Sequence, residues 1–411
     1  MILDKIGYAY NDVTIVPSVK SFIKSRSDVD PFTNDHNLPI FTAPMSTVVN
    51  CENFELWEIN KVTPILPRNI DWNIRLKYLK NFKWVAISLS EFNTIIDMFD
   101  SGELKICENH SYKICIDVAN GHMHHLLQMC KKIKYQYGDF IKLMTGNIAN
   151  PDSIGEYIDA KIDYVRVGIG TGAGCTTSSN TAIHYPQASL LNDINESYSK
   201  NKKIKIIADG GIRNFSDVIK ALALGADYVM IGGLFSSFLE SAGNISCLDS
   251  YCNFENGILK WEILFNTTRK NSENWLNSFA KQYEEEFKQY ANIEETSNKL
   301  YNLSINLPIC DKSFPEHLKR HLITYCEFNK EFYGMSTKRA QELIKPGSVK
   351  RTAEGISKKF PVKYTIKQWI DNMEAYLRSA MSYCGSHDLT DFIGKQTLII
   401  NSVSEINAVN K

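Results

Sequence analysis

Eight short runs rich in β-branched and aromatic residues recur along this chain, separated by stretches of helical periodicity. The runs are PIFTAP (39–44), TPILP (63–67), WVAISLS (84–90), KICIDVA (113–119), FIKLMTGN (140–147), YVRVGIG (164–170), KIKIIADGG (203–211) and YVMIGG (228–233). HHLLQMCKKIKYQYG (124–138) and FSDVIKALALGA (215–226) are helical patterns between them. In the second, Val218, Ile219, Leu222 and Leu224 form an apolar face and Gly225 ends it. Strands that alternate with helices pair in parallel through right-handed crossovers. Eight such strands close a (β/α)8 barrel. A doubly wound open sheet shows the same alternation, so the count alone leaves both architectures open.

A barrel carries its functional groups just past the strand ends, on one face. Here those ends read SLS, DVANG, TGN, GIGTGAGC, ADGG and IGG. Gly, Asp and Asn suit turns in any protein, but six consecutive strands ending this way exceed what turns require. From Asn244 to Phe328 the rhythm breaks. There Trp275, Phe279, Tyr283 and Phe287 recur at helical steps with Ser272 as a candidate N-cap. The expected organisation is a barrel over 1–243, a mainly helical insertion over 244–328, and a flap with a closing barrel helix over 329–411. YTIKQWIDNMEAYLRSAMSYCG (364–385) has the pattern of that helix.

Lys+Arg and Asp+Glu both number 46, so global charge points to neither nucleic acid nor an acidic membrane surface. The start, MILDKIGYAYND, lacks a basic stretch followed by an apolar one, so no signal peptide is expected. No apolar run approaches the ~18 residues needed to span a bilayer. Ten cysteines without a small-scaffold framework predict free thiols in a reducing compartment, the cytoplasm. Cys247, Cys252, Cys310, His317, His321 and Cys326 are potential metal ligands. They lack the CxxC spacing of structural zinc sites, so no metal is expected.

The chemistry concentrates in VGIGTGAGCTTSSNTAIHYPQ (167–187), where four glycines precede Cys175 and Thr176, Thr177, His184 and Tyr185 follow. A lone cysteine is more often an inert core residue. A thiol on a glycine-rich loop after a strand instead has the placement of a nucleophile.

Together with that loop, YNDVTIVPS (10–18), SRSDVD (25–30), PIFTAPMSTV (39–48), ICIDVANGH (114–122), IIADGG (206–211), YVMIGG (228–233), YGMS (333–336) and RTAEG (351–355) resemble the IMP dehydrogenase/GMP reductase family in order and spacing. The resemblance implies a TIM barrel, a homotetramer, a purine nucleotide substrate and NADPH (or NADH) as cofactor. It leans to the reductase branch. The stretch between PILP and DVANG is too short for paired CBS modules. The flap lacks the Arg-Tyr pair of the dehydrogenases, and KRTAEGISKKFPVKYTI (350–366) is closer to the reductase pattern. The implied reaction is reductive deamination of GMP or a related guanine nucleotide. The alternatives are IMP dehydrogenase activity and a nucleotide-binding scaffold with lapsed catalysis.

Residue by residue, the resemblance makes Cys175 the nucleophile at purine C2 and Thr177 with Glu354 the proton-transfer pair. Asp209 would take the ribose hydroxyls. Gly211, Gly232 and Gly233 would offer N–H groups to the 5′-phosphate. Met335, Ser336, Arg351 and Gly355 would contact the base. Arg68, Asp117, Val118 and Ala119 would meet the cofactor, and Ser379 and Tyr383 would reach a neighbouring subunit's cofactor. Four positions depart from the family. Ala173 replaces a phosphate-binding serine and Arg68 a lysine, a change of donor geometry at constant charge. Ser178 replaces a basic residue and Ala353 a small polar one.

Overall fold

The computed structural model describes residues 5–106, 108–198, 203–247, 251–266, 290–297, 300–325, 327–335, 337–344 and 355–402. Seven of the eight predicted runs form one parallel sheet, in the spatial order Ile40–Thr42, Tyr228–Ile231, Lys205–Asp209, Tyr164–Val167, Ile141–Ile148, Tyr112–Ile116 and Val85–Ile87. The run at 63–66 closes the gap between the two edges. Thr63 bridges Phe41, and Leu66 bridges Val85. The backbone bonds run both ways: Thr63 N donates to Ile40 O (3.0 Å), Thr42 N to Thr63 O (3.1 Å), Leu66 N to Trp84 O (3.0 Å) and Ala86 N to Leu66 O (2.8 Å). The fold is a (β/α)8 barrel, and the open-sheet alternative falls because both edges are paired.

Alternate residues of each strand point inward, and the inward set is sorted by height. Phe41, Ile65, Trp84, Ala86, Cys115, Met144, Ile207 and Met230 pack together as a buried interior cluster. Phe41, Trp84 and Tyr164 meet edge-on, with ring centroids 5.3–5.9 Å apart. These rings plug the end where the strands begin. Two residues further along, the inward positions are Asp117 above Cys115, Arg166 above Tyr164, Asp209 above Ile207 and Gly232 above Met230. The outward set, including Val85, Ile114, Leu143, Val165, Ala208 and Val229, joins the layer shared with the helices.

Two helices show why those patterns fold as they do. Phe215–Ala223 starts where Asn214 Oδ1 accepts from Asp217 N (3.0 Å). The closing helix, Ile366–Tyr383, is capped by Thr365, whose Oγ1 accepts from Gln368 N (3.0 Å). Ile366, Trp369, Ile370, Met373, Leu377 and Met381 are its buried stripe, and Trp369 stacks on Phe215 (4.9 Å).

The insertion differs from the expectation of a mainly helical unit. Its described part is a four-stranded antiparallel sheet, ordered Tyr251–Glu255, Ile258–Asn266, Leu300–Leu307 and Ala291–Ser297, with the helix Glu316–Tyr325. The first hairpin turns at Asn256 (φ 52°) and Gly257 (φ 76°). An Asn-Gly pair supplies the two positive φ angles of a tight β-turn. Leu259, Leu307, Ile309, Phe314, Leu318 and Leu322 form the core of this unit with Leu239 and Phe328. The amphipathic pattern on Trp275, Phe279, Tyr283 and Phe287 lies outside the described residues. So do Cys326 and the side chain of Cys252. Among the described residues no group of three or more His, Cys, Asp or Glu could hold a metal ion. No described helix is long and apolar enough to cross a membrane.

The insertion is joined to the barrel by a three-stranded sheet, Ser357–Pro361, Phe328–Tyr333 and Ile245–Cys247. On its central strand, Lys330 is fully buried. Its Nζ donates to the carbonyls of Ser241 (2.7 Å) and Gly243 (3.0 Å) and lies 4.2 Å from the centre of the Phe254 ring. Burial pulls the Lys330 ammonium down to about 7, against a smaller upward pull from Cys310 and Glu240. A neutral amine still has two N–H groups for these two carbonyls. Because the unfolded chain holds this proton to higher pH, the group makes stability rise between pH 7 and its unfolded pKa. Urea melts at pH 7 and pH 9 are expected to show that rise in the wild type and its loss in Lys330→Met. Equal pH slopes in the two proteins would refute this role.

Candidate active site

The polar rung of the barrel opens into a cavity of about 700 Å³ at the carboxyl ends of the strands. This is within the size range of small-molecule sites. Its floor carries two acids and two guanidinium groups. Arg68 Nε donates to Asp117 Oδ2 (3.0 Å), and Arg166 Nη1 donates to Asp117 Oδ1 (2.9 Å). Arg166 also reaches Asp209 Oδ2 through Nε (2.8 Å) and Nη2 (2.8 Å). Asn147 Nδ2 donates to the same oxygen (2.7 Å). Burial alone would raise the Asp117 carboxyl; Arg68 and Arg166 outweigh it and hold the group below its ordinary range. Arg166 itself is raised: the carboxylates of Asp209 and Asp117 and the neighbouring Cys115 overcome its desolvation. The Cys115 thiol, buried beneath this layer, is pushed up to about 12 and is chemically quiet.

The glycine-rich loop forms one wall. Thr171 Oγ1 donates to Asp209 O (2.9 Å), and Cys175 N donates to Gly172 O (3.0 Å). Cys175 is half-buried, lines the cavity, and its Sγ donates to Thr177 Oγ1 at 3.2 Å. From the opposite side Gly355 bridges Cys175, and Ile356 N donates to Gly174 O (3.0 Å). The flap strand and the cysteine loop are therefore joined through their backbones.

Of the residues singled out from the sequence, Cys175, Asp209, Gly211, Gly232, Gly233, Met335, Arg68, Asp117, Val118 and Ala119 line this one cavity. Thr177 and Gly355 adjoin it through Cys175. Ser336, Arg351 and Glu354 lie outside the described residues. Ser379 and Tyr383 sit near the end of the closing helix, away from the cavity lining, and the Tyr383 side of the helix is exposed. His184 and Tyr185 are turned to local partners, Ile169 O (3.0 Å) and the Asp193 carboxylate. Ser178 Oγ donates to Gly170 O (3.3 Å). A Cβ placed on Gly233 would lie 2.9 Å from the Ala173 methyl, so the departure at Ala173 puts an apolar group against this glycine pair.

The sequence reading missed Arg166, Asn147, Met45 and Phe332, which also line the cavity. Arg166 had a readable signal: it is a cation at an inward position of the strand YVRV. Asn147 stands in the strand end TGN.

Residues 103–254 match the family model described as the IMP dehydrogenase / GMP reductase domain. A protein named GMP reductase from Vibrio vulnificus (strain YJ016) is 31% identical over 264 residues, 61% of this chain and 74% of the relative. The chain belongs to the IMP dehydrogenase/GMP reductase family. GMP reductase 1 of Homo sapiens is 30% identical over 249 residues, 57% of this chain and 71% of the relative. GMP reductase of Buchnera aphidicola subsp. Schizaphis graminum is 31% identical over 256 residues, 59% of this chain and 72% of the relative. As a member of this family the protein is an oxidoreductase.

The loop geometry makes one glycine testable. Gly210 has φ +88°, and a Cβ there would lie 2.3 Å from Thr171 Oγ1 and 3.1 Å from Gly172 N. Gly210→Ala is expected to cost about 1–3 kcal/mol of stability, read by chemical denaturation. A variant as stable as the wild type would contradict this packing.

Proposed function

We propose that this protein reduces GMP, or a closely related guanine nucleotide, to the inosine nucleotide and ammonia with NADPH (or NADH). The observation that carries the reading is Cys175, hydrogen-bonded to Thr177 on a wall of the cavity whose floor holds Asp117 and Asp209. Relatives named GMP reductase add support.

The Cys175 sulfur, as thiolate, forms a bond to purine C2 and the C2–amino bond breaks, leaving a thioimidate. Thr177, in relay with Glu354, hands a proton to the departing amine so that it leaves as ammonia. When bound, the nicotinamide supplies a hydride, two electrons, to C2. The Cys175 sulfur then departs from C2 with the bonding pair and is free again. Arg68, Asp117, Val118 and Ala119 are the residues suited to hold the cofactor's nicotinamide end. Their fit rests on the charge-paired Arg68–Asp117 contact at the cavity floor. Ser379 and Tyr383 of a neighbouring copy complete that site in a homotetramer. Asp209 accepts from the ribose hydroxyls, while Gly211, Gly232 and Gly233 present backbone N–H groups to the 5′-phosphate. Met335, Ser336, Arg351 and Gly355 border the base. The reading places the enzyme in the cytoplasm, consistent with the free cysteines among the described residues.

The purified protein is expected to oxidise NADPH with GMP and to leave IMP plus NAD untouched. NADH formed from IMP would overturn the assignment. Cys175→Ala is expected to lower kcat by about 10³-fold or more, and Thr177→Ala by about 10²-fold. Mass spectrometry of the wild type during turnover should find the purine adduct on Cys175. Full turnover by Cys175→Ala would end the covalent mechanism.

A further inference from the structure

The two acids of the cavity floor are held by one side chain. Arg166 is the only described residue whose side chain bonds both Asp117 and Asp209. It is buried at the end of its strand, with 8% of its surface exposed. It uses Nη1 toward Asp117 and both Nε and Nη2 toward Asp209. Asn147 takes the same Asp209 oxygen. Asp209 Oδ2 therefore receives every donor, and among the described residues no group donates to Oδ1. The layer of Arg68, Arg166, Asp117 and Asp209 is charge-balanced. We infer that Arg166 is a positioning residue: its planar guanidinium fixes Asp209 so that Oδ1 alone is offered to a ligand's vicinal hydroxyls, and locks that acid at a set spacing from Asp117. This rests on the reading above that Asp209 takes the nucleotide sugar and Asp117 the cofactor end.

The chemistry calls for arginine. Nη1 must donate to Asp117 while Nε donates to Asp209 with Nη2 alongside, two directions at once, which a fork-shaped guanidinium satisfies and an ammonium does not. Removing it leaves the layer with one net negative charge, beneath a site for anionic nucleotides. The charged and titratable groups against Asp117 are Arg68, Arg166 and Cys115, and Asp209 lies on the other side of Arg166. With Arg166 gone, burial opposes ionisation of Asp117 and Arg68 alone favours it. The ionised form of Asp117 would then be lost at higher pH as the solution is acidified.

Arg166→Met, Arg166→Lys and Asn147→Ala separate positioning from bulk structure. Thermal melts of each variant accompany the binding data. Calorimetry with GMP is expected to show Kd weakened about tenfold or more in Arg166→Met, the loss of charge-assisted hydrogen bonds. Arg166→Lys keeps the charge but not the double grip. Its acid limb should lie near that of the wild type, while its GMP affinity stays weak. In Arg166→Met the acid limb of kcat/KM for NADPH should move upward by about one pH unit or more. Asn147→Ala should weaken GMP binding and leave the acid limb in place. Wild-type-like GMP affinity in Arg166→Lys, or an unmoved acid limb in a folded Arg166→Met, would overturn the inference. If Arg166→Met does not fold, Arg166→Lys and Asn147→Ala decide it by their GMP affinities. If the wild type oxidises no NADPH with GMP, the functional reading fails alone. The same comparison is then made from the Kd of GMP and from the pH dependence of NADPH binding.

Discussion

A guanidinium buried near the axis of a barrel is stable only where carboxylates surround it. Arg166 meets that condition because strands on both sides bring an acid to its height. The acids reach that height because the strands alternate and the inward residues directly beneath the polar layer, among them Cys115, Tyr164, Ile207 and Met230, pack as an apolar and aromatic cluster. The packed rings of Phe41, Trp84 and Tyr164 deny water the lower half of the barrel. The polar rung above therefore has solvent and ligand on one side only. The cavity, its charge balance and the orientation of Asp209 all follow from that sorted interior.

The second dependence is between the flap and the cysteine loop. Cys175 and Gly355 are joined through their backbones, and the flap strand Ser357–Pro361 pairs with Phe328–Tyr333. That strand is where the insertion returns to the barrel, and Lys330 ties it to the carbonyls of Ser241 and Gly243. The insertion thus ends on the element that delivers Phe332 and Met335 to the cavity. Its β-sheet is a continuous part of the framework behind the flap, with Leu239 and Phe328 shared in one apolar cluster.

Much of the barrel was legible because period-two runs and period-3.6 faces are local properties of a chain. Cys175, Asp117 and Asp209 stood out because a barrel's strand ends gather on one face. Arg166 escaped notice because it reads as one polar letter in an otherwise apolar run. Only the neighbouring strands show which charges meet it. The insertion misled for a related reason. An amphipathic helical pattern drew attention to residues outside the described structure, while the Asn256-Gly257 turn signal of the hairpin went unused.

By itself the sequence determined the alternation of strands and helices, the glycine-rich loops and the identity of the nucleophile candidate, since each depends on neighbours along the chain. Tertiary structure decided that the run at 63–66 closes the barrel, that one arginine holds two acids from different strands, and that Gly355 meets Cys175. These are contacts between residues far apart in sequence. Their partners are chosen by the register and height of packed strands, which no local pattern encodes.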